Sequence, residues 1–122
     1  MKEVAKRLAT PPLQLVLGPA IWLVWFGVIY GALSVACAVV PPPPERGPLN
    51  WVNGGLLLLT VVTAAGLAAA ARASHRAGRR LGRGPEAARD RFLAHAATLL
   101  HATAAVSTIA VGLPLLLLPP CV

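Results

Sequence analysis

The sequence predicts an all-α integral membrane protein, a bundle of three transmembrane helices. Three observations predict it. Of the 122 residues, 57% are hydrophobic and only 12% charged, with a mean hydropathy of +0.70; a water-soluble domain carries about twice that charge. The apolar residues fall into three blocks, each long enough to supply the about 20 residues that a membrane-crossing helix needs. The basic residues are confined almost entirely to the segments before the first block and between the second and third.

The blocks are Leu13–Val40 and Trp51–Ala71, both uncharged, and Phe92–Leu118, whose ionisable groups are His95 and His101 alone. One membrane domain is expected over 1–122. Helix one covers about 13–40, helix two about 51–74 and helix three about 85–118. A proline-rich loop at 41–50 and a basic loop at 75–84 connect them.

Orientation follows from the charge. Lys2, Lys6 and Arg7 precede the first span. Arg72, Arg76, Arg79, Arg80, Arg83, Arg89 and Arg91 lie between the second and third, and Arg46 alone sits elsewhere. Lys and Arg accumulate in cytoplasmic loops. The expected orientation is therefore N-terminus cytoplasmic and C-terminus periplasmic or external, in a bacterial inner membrane. The net charge of +7 is read as a topology signal that touches anionic lipid; no nucleic-acid partner is expected. A cleaved signal peptide is not expected either, because the first apolar run far exceeds the roughly 7–15 residues of a signal core.

In the first span, Pro19 follows Gly18. Gly27 and Gly31 form a G-x-x-x-G pair, and with Ala20, Ser34 and Ala38 they make a stripe of small residues. Such stripes let helix backbones approach where lipid supplies no hydrophobic drive, so Gly27, Gly31 and Ser34 are candidate packing positions. Trp22 and Trp25 would face lipid or a partner protein. Pro41–Pro44 make a stiff extended spacer of about 12 Å at about 3.1 Å per residue. Asn50 suits the N-cap of the second helix, and Trp51 the interface belt.

The second span carries Thr60, Thr63, Gly66 and Ala70. Its small-residue half, with Gly66 and Ala70, should meet another helix. Gly84-Pro85-Glu86 reads as a helix start, with proline at the first position and an acid in the first turn. In the third span Thr98, His101, Ala105, Thr108 and Gly112 recur at helical spacing. Pro114 cannot donate to Ala110, so the helix should bend or loosen there.

His101 is the main candidate for chemistry. It lies ten residues past Arg91, about 15 Å along a helix, and ionisable groups inside a membrane usually face protein and often work. It is a candidate haem or copper ligand or proton carrier; the alternative is a neutral imidazole hydrogen-bonded to Thr60 or Thr63. His95 points about 120° away from His101 and cannot share a metal with it. His75 belongs to the basic loop. The acids Glu3, Glu45, Glu86 and Asp90 all flank the spans, and no nucleophile–base pair, paired carboxylate or phosphate loop is readable. No enzyme, cofactor or metal site is expected. Cys37 ends the first span and Cys121 follows the third. With three crossings both lie on the outer, oxidising face, where disulfides form. They are read as a bridge, the alternatives being two free thiols or a copper-handling pair.

The stretch "LGPAIWLVWFGVIYGALSVAC" and the closing "GLPLLLLPPC" resemble small uncharacterised bacterial membrane proteins encoded beside haem-copper terminal oxidases and their assembly factors. Gly18, Pro19, Trp22, Phe26, Tyr30, Cys37, Pro120 and Cys121 carry the likeness. Such proteins often have a histidine beside the first-span aromatic; Trp25-Phe26 stand here without one. The resemblance implies a neighbourhood. The leading expectation is a non-catalytic accessory subunit or assembly factor of a membrane complex, a respiratory oxidase, acting by helix packing with lipid and other membrane subunits as partners. The alternatives are a haem- or copper-handling protein using His101 with Cys37 and Cys121, and a small oligomeric transporter whose Thr98–Thr108 face lines a path.

Overall fold

A computed structural model of the chain describes residues 11–43, 45, 47, 50–119 and 121. Lys2, Lys6, Arg7, Pro44, Arg46 and Pro120 lie outside them. Among the described residues the chain is all-helical, with three helices long and apolar enough to cross a membrane. Helix α1 spans Pro11–Val39, α2 spans Trp51–Arg80, and α3 spans Ala88–Gly112, entered by a 3₁₀ turn at Pro85–Ala87. A last short helix, α4, covers Pro114–Leu117.

Local chemistry sets these boundaries. The Asn50 side chain accepts the Asn53 N–H at 2.9 Å, the capping bond expected at an N-cap. Asn50 also donates to the Gly47 carbonyl, and Gly47 has φ +57, a conformation that costs glycine little. The proline spacer at 41–43 is non-helical. Pro85 and Glu86 open the 3₁₀ turn as a helix start should. Pro114 has no N–H to return to Ala110; α3 stops at Gly112 and α4 begins at the proline itself.

Two boundaries differ from the sequence expectation. The basic segment 75–84 is mostly helix, since α2 runs on to Arg80 and leaves only 81–84 as connection. Gly78 does not break the helix because its missing side chain is used: a Cβ there would stand 3.2 Å from the Ala94 Cβ across the hairpin. And helix three is not continuous over 85–118 but is divided by Pro114.

Consecutive helices run antiparallel, so α1 and α3 are parallel. One end of the bundle gathers the start of α1, the end of α2 and the start of α3. The opposite end gathers Cys37, the start of α2 and the α4 tail. The α2–α3 hairpin is the most extensive interface, and α1 lies more on α3 than on α2. Towards the cysteine end Trp25, Ile29, Val52, Leu56 and Leu115 form the core. Further along, Leu67, Ala104 and Ala105 pack with Trp22. The outward surface is apolar: Val24, Leu58 and Val106 are each about two-thirds exposed. An apolar surface this continuous is rare on water-soluble monomers and suits lipid contact.

Candidate functional site

The bundle interior holds a line of polar residues. Asn53, His101 and Thr108 are fully buried, and Thr60 is nearly so. In a membrane each such group needs an internal partner. Thr60, Thr98 and Thr108 each donate to the carbonyl four residues back, at 2.7–2.8 Å, the usual solution for a helical hydroxyl.

Asn53 answers a need created elsewhere. Leu115 would bond the N–H of residue 119, which is a proline. The Asn53 amide donates to the Leu115 carbonyl at 3.0 Å and to the Leu118 carbonyl at 3.0 Å. One side chain on α2 thus caps the end of α4. Beside it the tail is covalently tied: Cys37 and Cys121 form a disulfide, with Cα atoms 5.5 Å apart. The bridge joins the end of α1 to the tail, as the topology argument expected.

Midway along, Trp25 Nε1 donates to the Thr60 hydroxyl at 3.3 Å. Neither alternative drawn for the tryptophans applies to Trp25, which is buried inside the chain's own bundle. Gly112 sits against Thr60 so closely that a Cβ would fall 2.6 Å from Thr60 Cγ2.

His101 is not bonded to Thr60 or Thr63. Its Nε2 meets Gln14 Oε1 of α1 at 3.1 Å, and its ring lies on Gly18, where a Cβ would come within 2.7 Å of Nδ1. The reason is register. Gly112 packs at Thr60 and Gly78 at Ala94, with equal residue counts between the two contacts on both helices. His101 therefore stands level with Ala71 and Arg72, more than two turns beyond Thr63 on the way to the basic end. Nδ1 of His101, Nε1 of Trp22 and Oδ1 of Asn53 are buried with no hydrogen-bond partner among the described residues.

The same register revises the depth of His101. Counted from Arg91 it is deep, but on α2 it is level with the first arginine of the basic segment. It marks the basic-end boundary of the uncharged layer. The cysteines mark the other. From Gly18, which touches His101, to Cys37 is about 28 Å along a helix at about 1.5 Å per residue. His101 and the cysteine pair therefore occupy opposite ends of the bundle and cannot share one metal or haem. Among the described residues no three His, Cys, Asp or Glu side chains cluster.

The remaining predicted positions divide. His101, Ala105, Thr108 and Gly112 are buried together, and Thr98 is half-buried; this face meets the chain's own helices. Ala70 lines a cleft of about 450 Å³ with Gln14 and Leu17. Gly27, Gly31, Ser34 and Gly66 are exposed, and a Cβ at Gly27, Gly31 or Gly66 would meet nothing within 4 Å. Their expected packing role is not exercised within this chain. The inward stripe of α1 is instead Gly18, Trp25 and Ile29, because the two large side chains bury more area than the small ones. Trp22, Phe26 and Tyr30 stack in file beside that stripe, with ring centroids 5.2 and 4.6 Å apart. Arg72, Arg76, Arg79, Arg80, Arg83 and Arg89 are exposed and Arg91 half-exposed. Gln14 and Asn53 were missed as site residues. Their signal was present: each is an amide within an apolar run, where polar groups are costly.

No protein-family model, curated protein or solved structure matches the chain. Fold and site together define a small helical protein with three candidate membrane spans, a polar interior line and one disulfide.

Proposed function

We propose that the protein is a non-catalytic accessory subunit or assembly factor of a bacterial inner-membrane complex, a respiratory oxidase, inserted with its N-terminus inside and its C-terminus outside. One observation carries this reading. The small stripe Gly27, Gly31, Ser34 and Ala38 lies along α1 on the side its own bundle leaves uncovered. Close helix approach is the main use of such a stripe in a membrane, and lipid tails gain nothing from it. A second transmembrane helix would fill it.

The orientation is supported by the gathering of the arginines at one end, and by the disulfide at the other, where an oxidising compartment would maintain it. The oxidase assignment is supported by the resemblance at both ends of the chain. The interior polar line supports a structural role, since Thr60, which accepts from Trp25, and the Asn53 amide both bond between helices.

The test is purification of the tagged protein from native membranes in mild detergent. Oxidase subunits should co-purify with the parent and be lost from Gly27→Leu/Gly31→Leu. If both proteins retain the same companions, the stripe is not the docking face. If neither retains an oxidase subunit, the assignment to that complex falls.

A further inference from the structure

Where α2 and α3 continue past the uncharged layer, their two outer sides differ. One side, facing α1, is the alanine-rich cleft that holds Gln14. The other is a cleft of about 260 Å³ that shares Ser74 with the first and is lined otherwise by His75, Gly78 and Arg79 of α2 and by Arg91, His95 and Thr98 of α3. Its floor is the close crossing of Gly78 on Ala94. Spacings of four and five residues on α2, and of four and seven on α3, place these side chains on facing helix surfaces.

The lining is cationic and hydrogen-bond-rich. Two arginines contribute, and neither acid of this region, Glu86 or Asp90, lines the cleft. Arg91 is held in place through Nη1, which donates to the carbonyls of Gly82 and Gly84. Its other N–H groups are available to a ligand. Arg79 makes no ion pair or hydrogen bond among the described residues. Ser74, 9% exposed, stands between this cleft and the one that holds Gln14.

We propose that this cleft binds a phosphate group, and that the phosphate belongs to an anionic phospholipid of the surrounding leaflet. Guanidinium groups match phosphate oxygens in geometry as well as charge. The setting points to lipid as the source. At this level α2 is polar and basic, yet α3 exposes Phe92 and Leu99. A helix pair that is basic on one member and apolar on the other fits the headgroup layer, where acyl chains and phosphates meet. A zwitterionic headgroup would bring a cation of its own into a cleft that no carboxylate lines, so anionic lipid is favoured.

The experiment is native mass spectrometry of the full chain in detergent, titrated with phosphatidylglycerol or phosphatidylcholine. The expected result is one tightly retained phosphatidylglycerol and at least about tenfold weaker retention of phosphatidylcholine. Losing one charged hydrogen bond weakens binding by roughly tenfold or more, so Arg79→Ala should do so. Arg76→Ala removes the same charge outside the cleft and should leave retention within about twofold. Arg91→Ala also frees the 82–84 turn, so Arg79→Ala, at an exposed position, is the deciding variant. Equal weakening by Arg76→Ala and Arg79→Ala, or equal retention of the two lipids, overturns the site. Displacement of the lipid by inorganic phosphate alone would retain the cleft and overturn the lipid source.

Discussion

Removing the disulfide is the sharpest perturbation available. Cys37 and Cys121 are separated by 84 residues in sequence, so the bridge closes nearly the whole chain into a loop. The chain-entropy relation for a loop of that size gives about 4.5 kcal/mol. That figure assumes a reference chain free in three dimensions. A chain that keeps its helices in the bilayer is already confined, so about 4.5 kcal/mol is a ceiling. The expected loss for Cys37→Ser/Cys121→Ser is about 2–4 kcal/mol. The assay is titration with sodium dodecyl sulfate in mixed micelles, followed by tryptophan fluorescence. Trp25 is 3% exposed and Trp22 packs on both core clusters, while Trp51 lies largely outside them, so core opening reports through Trp22 and Trp25. The double variant should unfold at lower detergent fraction, and the parent should match it after reduction. If the two transitions coincide without reductant, the tail is not covalently tied in the protein and the reasoning fails. Orientation is read in the same material: after reduction of intact cells, a membrane-impermeant thiol reagent should label Cys121. Labelling that requires lysis reverses the assignment of inside and outside.

Other outcomes follow from the packing. Gly18→Ala places a methyl 2.7 Å from His101 Nδ1 and 3.5 Å from the His101 Cα, so α1 must step back. Overpacking of about 1–3 kcal/mol, offset by about 1 kcal/mol of helix propensity, leaves a net cost of about 0–2 kcal/mol. In a His101→Ala background Gly18→Ala should no longer be destabilising, and a Gly18→Ala protein more stable than the parent would count against the close approach. Asn53→Leu removes two interhelical hydrogen bonds. At about 0.6 kcal/mol each in a membrane the loss is about 1 kcal/mol, with faster reduction of the disulfide as the tail loosens. Pro119→Ala supplies the missing N–H to Leu115, so in that background Asn53→Leu should cost measurably less; a strictly additive pair would refute the capping role. Gly27→Leu/Gly31→Leu should not destabilise the bundle, since both positions are exposed within the chain; helix propensity should raise the detergent transition by about 1–2 kcal/mol, and a fall would show that the stripe packs within the chain.

The number of helices, their order and most of their ends were legible in the residues. Chain length between breakers is a local property. Asn50, Pro85 and Pro114 act within a turn of where they stand, so their effects required no tertiary knowledge. The shared end of Cys37 and Cys121 was legible too, because an odd number of antiparallel helices must bring them together. The inward face of α3 was legible from its polar and small residues, but the inward face of α1 was not. In water, polarity marks the outer face of a helix. In a bilayer both faces are apolar, so α1 offers several stripes of nearly equal merit. The choice of Gly18, Trp25 and Ile29 over Gly27 and Gly31 rests on how much area each buries against α3. Register was equally hidden. It depends on the close crossings at Gly78–Ala94 and Gly112–Thr60, and it alone sets His101 opposite Gln14 and Gly18 rather than beside a threonine. Sequence by itself therefore determined how many times the chain can cross and where it turns. The rotation of α1 and the axial register of the helices were left to tertiary packing, because a lipid solvent rewards apolarity without distinguishing one apolar face from another.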